Sequence, residues 1–153
     1  MGLSDESYVN RLKLLARAQG VEDRFVVLPP VGYDQVSAFT ISATIGHALY
    51  EPIHINNVHI TTASNKIMEY MEAGLPLLVS DTQSLKRHVE QYKCGVVADE
   101  SSPESIANAI NILLGDPRCA VSMGAAARKA FEEVFCYERQ FAPVLEAFER
   151  LTT

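Results

Sequence analysis

Residues 63–81 read Ala-Ser-Asn-Lys-Ile-Met-Glu-Tyr-Met-Glu-Ala-Gly-Leu-Pro-Leu-Leu-Val-Ser-Asp, and they predict a helix followed directly by a buried strand. Ser64 is a favoured N-cap residue, and Gly74 is the residue type that most often ends a helix. The apolar run from Leu75 to Val79 tolerates its proline because that residue stands at the beginning of the strand. A helix that passes through a glycine turn into an apolar strand is typical of an α/β domain.

The same alternation continues in both directions from this segment. It predicts a Rossmann-like parallel sheet of about four strands with flanking helices. The strands are expected at 24–28, 44–50, 76–80 and 94–98. Helices are expected at 5–19, 33–42, 65–73, 83–92, 103–114 and 118–133, with a last one that carries Phe141, Val144, Leu145 and Phe148.

Length and composition favour one domain over residues 1–153 and exclude several classes of partner. A net charge of −6 argues against nucleic acid, because binding a phosphate backbone requires a concentrated basic face. No apolar run approaches the ~20 residues of a membrane span, and the N-terminal residues show no secretory signal. The three cysteines, with no CxxC or metal-type spacing, indicate reduced thiols and therefore a cytoplasmic protein.

The beginning of the 65–73 helix has the character of an anion site. The long segment 51–63 leaves the carboxyl end of a strand, which is where open α/β sheets bind their ligands. It delivers Ser64, Asn65 and Lys66 to a helix N-terminus, where free N–H groups and the helix dipole favour an anion. One turn further on, Glu69 offers a carboxylate that can accept hydrogen bonds from two neighbouring hydroxyls.

This block resembles the donor site of the GT-B, group 1 retaining glycosyltransferases, in which a helix with a ribose-binding glutamate ends in a glycine before a Pro-Leu-Leu-Val strand. The resemblance extends to 21–31, 94–97 and 123–148, so that essentially all 153 residues match part of a C-terminal, donor-binding domain. It implies a nucleotide-diphosphate sugar as donor substrate, no separate cofactor, and transfer to a glycan, lipid or other acceptor.

The resemblance also implies roles for individual residues. Glu69 would bind the ribose and Lys66 the diphosphate, while Ser64 caps the helix in either case. Asn65 would contact phosphate or complete the turn, and Tyr33 would stack on the nucleotide base or pack internally. Both alternatives stay open, and no catalytic residue is identified.

One position departs from the family pattern of two glutamates separated by seven residues. The second glutamate is Glu69, but Thr61 stands where the first is expected. A threonine hydroxyl can hydrogen-bond a sugar but supplies no charge, which leaves the donor sugar and catalytic competence open, with Glu51 as a possible substitute. His54 and His59 have no carboxylate or cysteine at suitable spacing, and we expect no metal site.

The family domain normally begins with two further strands, which carry a glycine-rich turn and an arginine–lysine pair, and an acceptor domain precedes them. None of these is found in the 153 residues. Three interpretations follow: a donor-binding half that is inactive alone, a non-catalytic nucleotide or sugar-nucleotide module, or an interaction module that completes its sheet by oligomerisation. Residues 25–28 and the apolar final helix favour a homodimer in the absence of an acceptor domain.

Overall fold

The computed structural model describes residues 6–51, 57, 60–61 and 63–151, and it divides them into two compact units on either side of the Val36–Ser37 bond. The first unit contains helix α1 (Glu6–Ala18) and a 3₁₀ turn (Glu22–Arg24). Helix α2 (Tyr33–Ile41) begins in the first unit and ends in the second.

The second unit holds a parallel sheet of three strands among its described residues, in the order β1 (Gly46–Ala48), β2 (Leu77–Ser80) and β3 (Gly95–Ala98). The helices between and after these strands are α3 (Asn65–Glu72), α4 (Gln83–Tyr92), α5 (Pro103–Gly115), α6 (Pro117–Ala130) and α7 (Tyr137–Leu151). A π-helical turn (Phe131–Phe135) joins α6 to α7. The predicted parallel α/β architecture is therefore confirmed, and the helix predicted at 118–133 ends at Ala130.

The strand predicted at 24–28 is wrong. Residue 24 ends the 3₁₀ turn, and the described residues 25–28 form no strand although Phe25 has an extended backbone. Val26 is 72% exposed and Leu28 55% exposed. A strand is stabilised by hydrogen bonds to a neighbouring strand, and no described strand pairs with this segment. Its apolar and β-branched composition favours a strand only where the side chains can pack on a half-buried surface. The composition alone does not impose a strand conformation on the backbone.

Both faces of the sheet are covered by helices. One face packs against α3, α4 and α6 through a cluster that includes Ile67, Met71, Leu85 and Val89, all buried. The other face packs against α5, with buried Leu78, Ala98, Ala109 and Leu113 at its centre. Helices on both faces explain why β2 is buried at all four positions and reads as a continuous apolar run ending in Ser80.

The turn from α3 to β2 is held from the side by α6. Gly74 has φ +70, a conformation that favours glycine, and it ends α3 as predicted. Gly124 lies so close to the Gly74 carbonyl that a Cβ at position 124 would come within 3.0 Å of its oxygen. The Arg128 guanidinium donates a hydrogen bond to the Glu72 carbonyl, one of the free carbonyls at the helix end. These contacts fix the C-terminal end of α3.

Within the described ranges, no helix is both long enough and apolar enough to cross a membrane.

Candidate functional site

The backbone of Tyr50 meets the side chain of Ser80 at the carboxyl edge of the sheet, between the ends of β1 and β2. The Tyr50 backbone N–H donates to Ser80 Oγ at 2.6 Å, and the Ser80 hydroxyl donates to the Tyr50 carbonyl at 3.1 Å. Ser80 is completely buried at the last position of β2. The pair of hydrogen bonds fixes the chain as it leaves β1, at the edge where open parallel sheets bind ligands.

The N-terminus of α3 is attached to the same edge. Ser64 is the N-cap, and its Oγ accepts a hydrogen bond from the Ile67 N–H at 3.3 Å. The Tyr50 hydroxyl is 2.9 Å from Ser64 Oγ, within hydrogen-bonding distance. The predicted capping role of Ser64 is confirmed. The first N–H groups of α3, which begins at Asn65, therefore stand beside the carboxyl end of β1 and carry the positive end of the helix dipole.

Lys66 is exposed in the first turn of α3, with its Nζ 5.6 Å from the centre of the Tyr50 ring. Across the described ranges, no carboxylate oxygen lies within 4.0 Å of this Nζ. The pKa of His47, on β1, is lowered by burial and secondarily by the positive charge of Lys66. An ammonium group with no carboxylate partner among the described residues thus lies close to the helix N-terminus.

Glu69 follows Lys66 by three residues, so the two side chains are neighbours on the surface of α3. Glu69 is half-buried. The pKa of the adjacent Tyr70 is raised by burial, and further by the charges of Tyr50 and Glu69, which places these groups within electrostatic reach of one another. The Tyr70 ring lies over Gly46, where a Cβ would approach the ring closer than 3.0 Å.

Thr61 presents a buried polar atom with no partner in the described part of the chain. Its Oγ1 is inaccessible to solvent and makes no hydrogen bond there. An unpaired buried hydroxyl costs about 1–3 kcal/mol, and a ligand hydroxyl could relieve that cost. The position that departs from the family pattern is therefore also one with unsatisfied hydrogen-bonding capacity.

The remaining predicted residues have less defined surroundings. Asn65 is exposed at the first position of α3. Tyr33 is 86% exposed in the first unit, and its contact with a base stays a prediction. Glu51 is exposed, and its carbonyl accepts a hydrogen bond from Asn57 Nδ2 at 2.8 Å. The donor-binding roles of Ser64, Asn65, Lys66, Glu69 and Thr61 likewise stay predictions.

His54 and His59 lie outside the described residues. In the part of the chain that is described, no three histidine, cysteine, aspartate or glutamate side chains are grouped closely enough to hold a metal ion.

Sequence reasoning missed Tyr50, Ser80 and Tyr70 as members of this site. The predicted strand at 44–50 includes Tyr50, whereas β1 ends at Ala48 and Tyr50 lies beyond it, at the carboxyl edge of the sheet. The sequence does indicate the position of Ser80, because a serine at the end of an apolar run is expected at the carboxyl end of a strand. Nothing in the sequence spacing indicates that Tyr50 contacts both Ser80 and the N-cap of α3.

Comparison with known proteins connects this geometry to a family. Residues 1–130 match the family described as Glycosyl transferases group 1. Two curated relatives, from two strains of Mycobacterium tuberculosis, are 28% identical over 122 residues. Both are named GDP-mannose-dependent alpha-(1-6)-phosphatidylinositol monomannoside mannosyltransferase, and the match covers 80% of this chain and 31% of each relative.

Two solved structures have a similar fold at 20% identity. Sucrose-phosphate synthase from Thermosynechococcus elongatus matches with a TM-score of 0.71 over 98% of this chain and 36% of that protein. WaaG, a glycosyltransferase involved in lipopolysaccharide biosynthesis, matches with a TM-score of 0.63 over 84% of this chain and 32% of that protein. The likenesses confirm the predicted Rossmann-like fold of the GT-B type. The chain spans about a third of the length of these relatives.

Proposed function

Because the chain belongs to the group 1 glycosyltransferase family, we propose that it is the donor-binding domain of an enzyme that transfers a sugar from a nucleotide-diphosphate donor. The observation that carries this proposal is Lys66, an ammonium without a carboxylate partner among the described residues, at the N-terminus of α3. A diphosphate is the anion that such a donor presents. The curated relatives, named as GDP-mannose-dependent, support this class of ligand.

The donor would lie along the first turns of α3. Its diphosphate would receive hydrogen bonds from the helix N-terminus and Asn65, and the charge of Lys66 would neutralise part of its own. Glu69, one turn further on, would accept hydrogen bonds from the ribose hydroxyls. Thr61 would contact the transferred sugar once binding exposes its hydroxyl, which is inaccessible to solvent and unpaired among the described residues.

We further propose that the chain alone binds donor without transferring sugar. Transfer requires an acceptor held in line with the donor, and this alignment contributes several orders of magnitude to the rate. The matched region covers 31% of the curated relatives, so the acceptor surface would belong to a further domain. With that domain, we expect a retaining transfer to a glycan, lipid or other acceptor without a metal ion or additional cofactor. No catalytic residue is assigned.

The partner of the isolated chain would be a second copy, in place of the acceptor domain. Helix α7 has no buried residue and carries an exposed apolar stripe. The stripe consists of Tyr137, Phe141, Val144, Leu145, Phe148 and Leu151. Exposed apolar patches of this kind mark interfaces, and a homodimer would cover this one. The free thiols of Cys94, Cys119 and Cys136 support a cytoplasmic location.

The experiment that tests donor binding is a thermal-shift titration of the chain with UDP, GDP, ADP, CDP, dTDP and their sugar derivatives. A ligand that binds only the folded state raises the Tm in a concentration-dependent manner. Lys66→Met should remove most of the shift. Lys129→Met is the control, because it removes another exposed lysine, on α6, and it should leave the shift unchanged. If no nucleotide raises the Tm, the proposed function is wrong.

Adding the acceptor domain of a homologous enzyme distinguishes the remaining alternatives. Sugar transfer by the reconstituted pair supports the glycosyltransferase. Nucleotide binding with no transfer, under conditions in which the homologous donor domain is active, supports the non-catalytic module.

A further inference from the structure

Tyr50 is the one described residue that contacts all three parts of the candidate site. Its backbone is hydrogen-bonded in both directions to Ser80 at the end of β2. Its hydroxyl lies 2.9 Å from the oxygen of Ser64, the N-cap of α3. The Lys66 Nζ lies over its ring, 5.6 Å from the ring centre. We propose that Tyr50 is a positioning residue, which holds Lys66 in place to receive a diphosphate. This inference rests on the proposed donor-binding function.

The partner that Lys66 uses decides how available its charge is. A carboxylate would neutralise the ammonium, and an incoming anion would have to displace it. An aromatic face attracts the ammonium through the ring quadrupole without neutralising it. The ammonium lies over the ring, and the Lys66 residue is exposed. Tyr50 thus holds the Lys66 ammonium in place without a negative charge to compete with a ligand.

Locating the lysine matters because its side chain has many rotamers. Ordering such a side chain on binding costs conformational entropy, which lowers the affinity for the ligand. If the ring already restricts these rotamers in the free protein, Lys66 loses less conformational entropy when the ligand binds. The expected consequence is a higher affinity for ligands that engage Lys66 and no effect on groups that do not.

Tyr50 is suited to this task because it is itself immobilised. The Ser80 side chain that bonds the Tyr50 backbone is fully buried. The Tyr50 hydroxyl is within hydrogen-bonding distance of Ser64, the N-cap of α3, which is 6% exposed. The ring is therefore fixed relative to the N–H groups of α3 as well as to the sheet. Lys66 and the helix N-terminus are aligned by one residue, and the ligand class that needs both is a nucleoside diphosphate rather than a nucleoside.

Isothermal titration of the wild type with UDP, GDP, ADP, CDP and dTDP first identifies the nucleotide that binds most tightly. The test is then a double-mutant cycle with that nucleotide as the ligand. Tyr50→Leu should weaken binding about three- to fivefold, the size of an exposed cation–π contact. Tyr50→Phe keeps the ring but loses its hydroxyl anchor on Ser64, so its affinity should lie between those of Tyr50→Leu and the wild type. In a Lys66→Met background, Tyr50→Leu should have no further effect. Unfolding curves of each ligand-free variant report any loss of stability separately.

The outcomes separate this inference from the proposed function. If the wild type binds none of the five nucleotides, both are overturned. If the wild type binds and Tyr50→Leu binds equally well, only the positioning role is overturned. If Tyr50→Leu weakens binding by the same factor in the Lys66→Met background, its role is structural and the inference is wrong.

A second measurement applies even if Tyr50→Leu does not fold. In the NMR spectrum of the ligand-free wild type, the ε-methylene protons of Lys66 should be shifted upfield by the ring current of Tyr50, relative to those of Lys129 on α6. Random-coil shifts for Lys66 would overturn the inference.

Discussion

Ser80 Oγ accepts a hydrogen bond from the Tyr50 N–H and donates one to the Tyr50 carbonyl, so that one buried side chain satisfies both backbone groups of a residue beyond the end of the neighbouring strand. The contact replaces the ladder hydrogen bonds that would have continued if β1 were longer. It ends the strand and keeps its continuation at the edge of the sheet. The carboxyl edge is therefore shaped by a side chain where the backbone ladder stops.

Ser80→Ala should destabilise the fold by about 1–3 kcal/mol, because both backbone groups of Tyr50 lose their partner in a partly buried place. The free energy of unfolding in urea measures this effect. Ser42→Ala is the control, since the Ser42 hydroxyl bonds the Phe39 carbonyl at an exposed position and its loss should change stability by less than about 0.5 kcal/mol. Equal effects of the two substitutions would contradict the assigned role of Ser80.

Two glycines should respond to alanine in opposite directions. Gly124→Ala places a Cβ within 3.0 Å of the Gly74 carbonyl oxygen, which is backbone, so α6 must shift away from α3. A loss of about 1–3 kcal/mol is expected, as for overpacking in a core. At Gly115, the last residue of α5, a Cβ meets nothing within 4 Å, and alanine should stabilise by about 0.4–1 kcal/mol. Urea unfolding of both variants tests the pair, and a neutral Gly124→Ala would contradict the close packing of α6 on the turn.

His88 should make the fold sensitive to acid. Burial lowers its pKa to about 4 from an ordinary value of 6.5, and its ring packs against Tyr92 and Phe135. Because the unfolded state binds a proton more readily than the folded state, stability falls as the pH drops from about 6.5 towards 4. Between pH 7.5 and pH 5 the expected loss is about 2 kcal/mol.

His88→Phe keeps an aromatic ring in this cluster and removes the titration. Urea unfolding at the two pH values should give a smaller difference for this variant than for the wild type. If the two proteins lose stability equally, another group is responsible for the acid sensitivity.

Glu69→Gln should weaken nucleoside-diphosphate binding by about 1–1.5 kcal/mol, the difference between a hydrogen bond to a charged acceptor and one to a neutral acceptor. The proposed partners are the ribose hydroxyls, so the loss should be much smaller when a 2′,3′-dideoxy diphosphate is the ligand. Glu72→Gln, on the same helix but exposed, is the matched control and should bind normally. Isothermal titration measures all four combinations. A loss of equal size with both ligands would argue against ribose recognition.

The part of the fold that the sequence predicts well is the part stabilised locally. The helix, the turn and β2 are predicted from Ser64, Gly74 and the apolar run through Val79. Helix caps, positive φ angles and buried strands each favour particular residue types, so the sequence indicates them. The segment 25–28 has an equally apolar composition and forms no strand, because pairing depends on a neighbour that composition does not reveal. The contacts of Tyr50 with Ser80, Ser64 and Lys66 could not be predicted for a related reason. They join residues separated by 14 to 30 positions, and only the assembled sheet brings them together.

The homodimer prediction concerns the exposed apolar stripe of α7. The apolar stripe of α7 follows the spacing of a helix face that packs against another helix, and within the described residues this helix buries none of its side chains. A symmetric pairing of two α7 helices would cover the stripe on both copies. Light scattering at micromolar concentration should then give twice the 16.8 kDa mass of the chain. Leu145→Glu introduces a charge into the middle of the stripe, where the side chain is 50% exposed, and should shift the mass to that of the monomer without loss of helical content. Ile112→Glu, at a similarly exposed position on α5, controls for added charge and should stay dimeric. A wild-type mass of 16.8 kDa would refute the dimer, and dissociation by Ile112→Glu rather than Leu145→Glu would move the interface to the α5 face of the sheet.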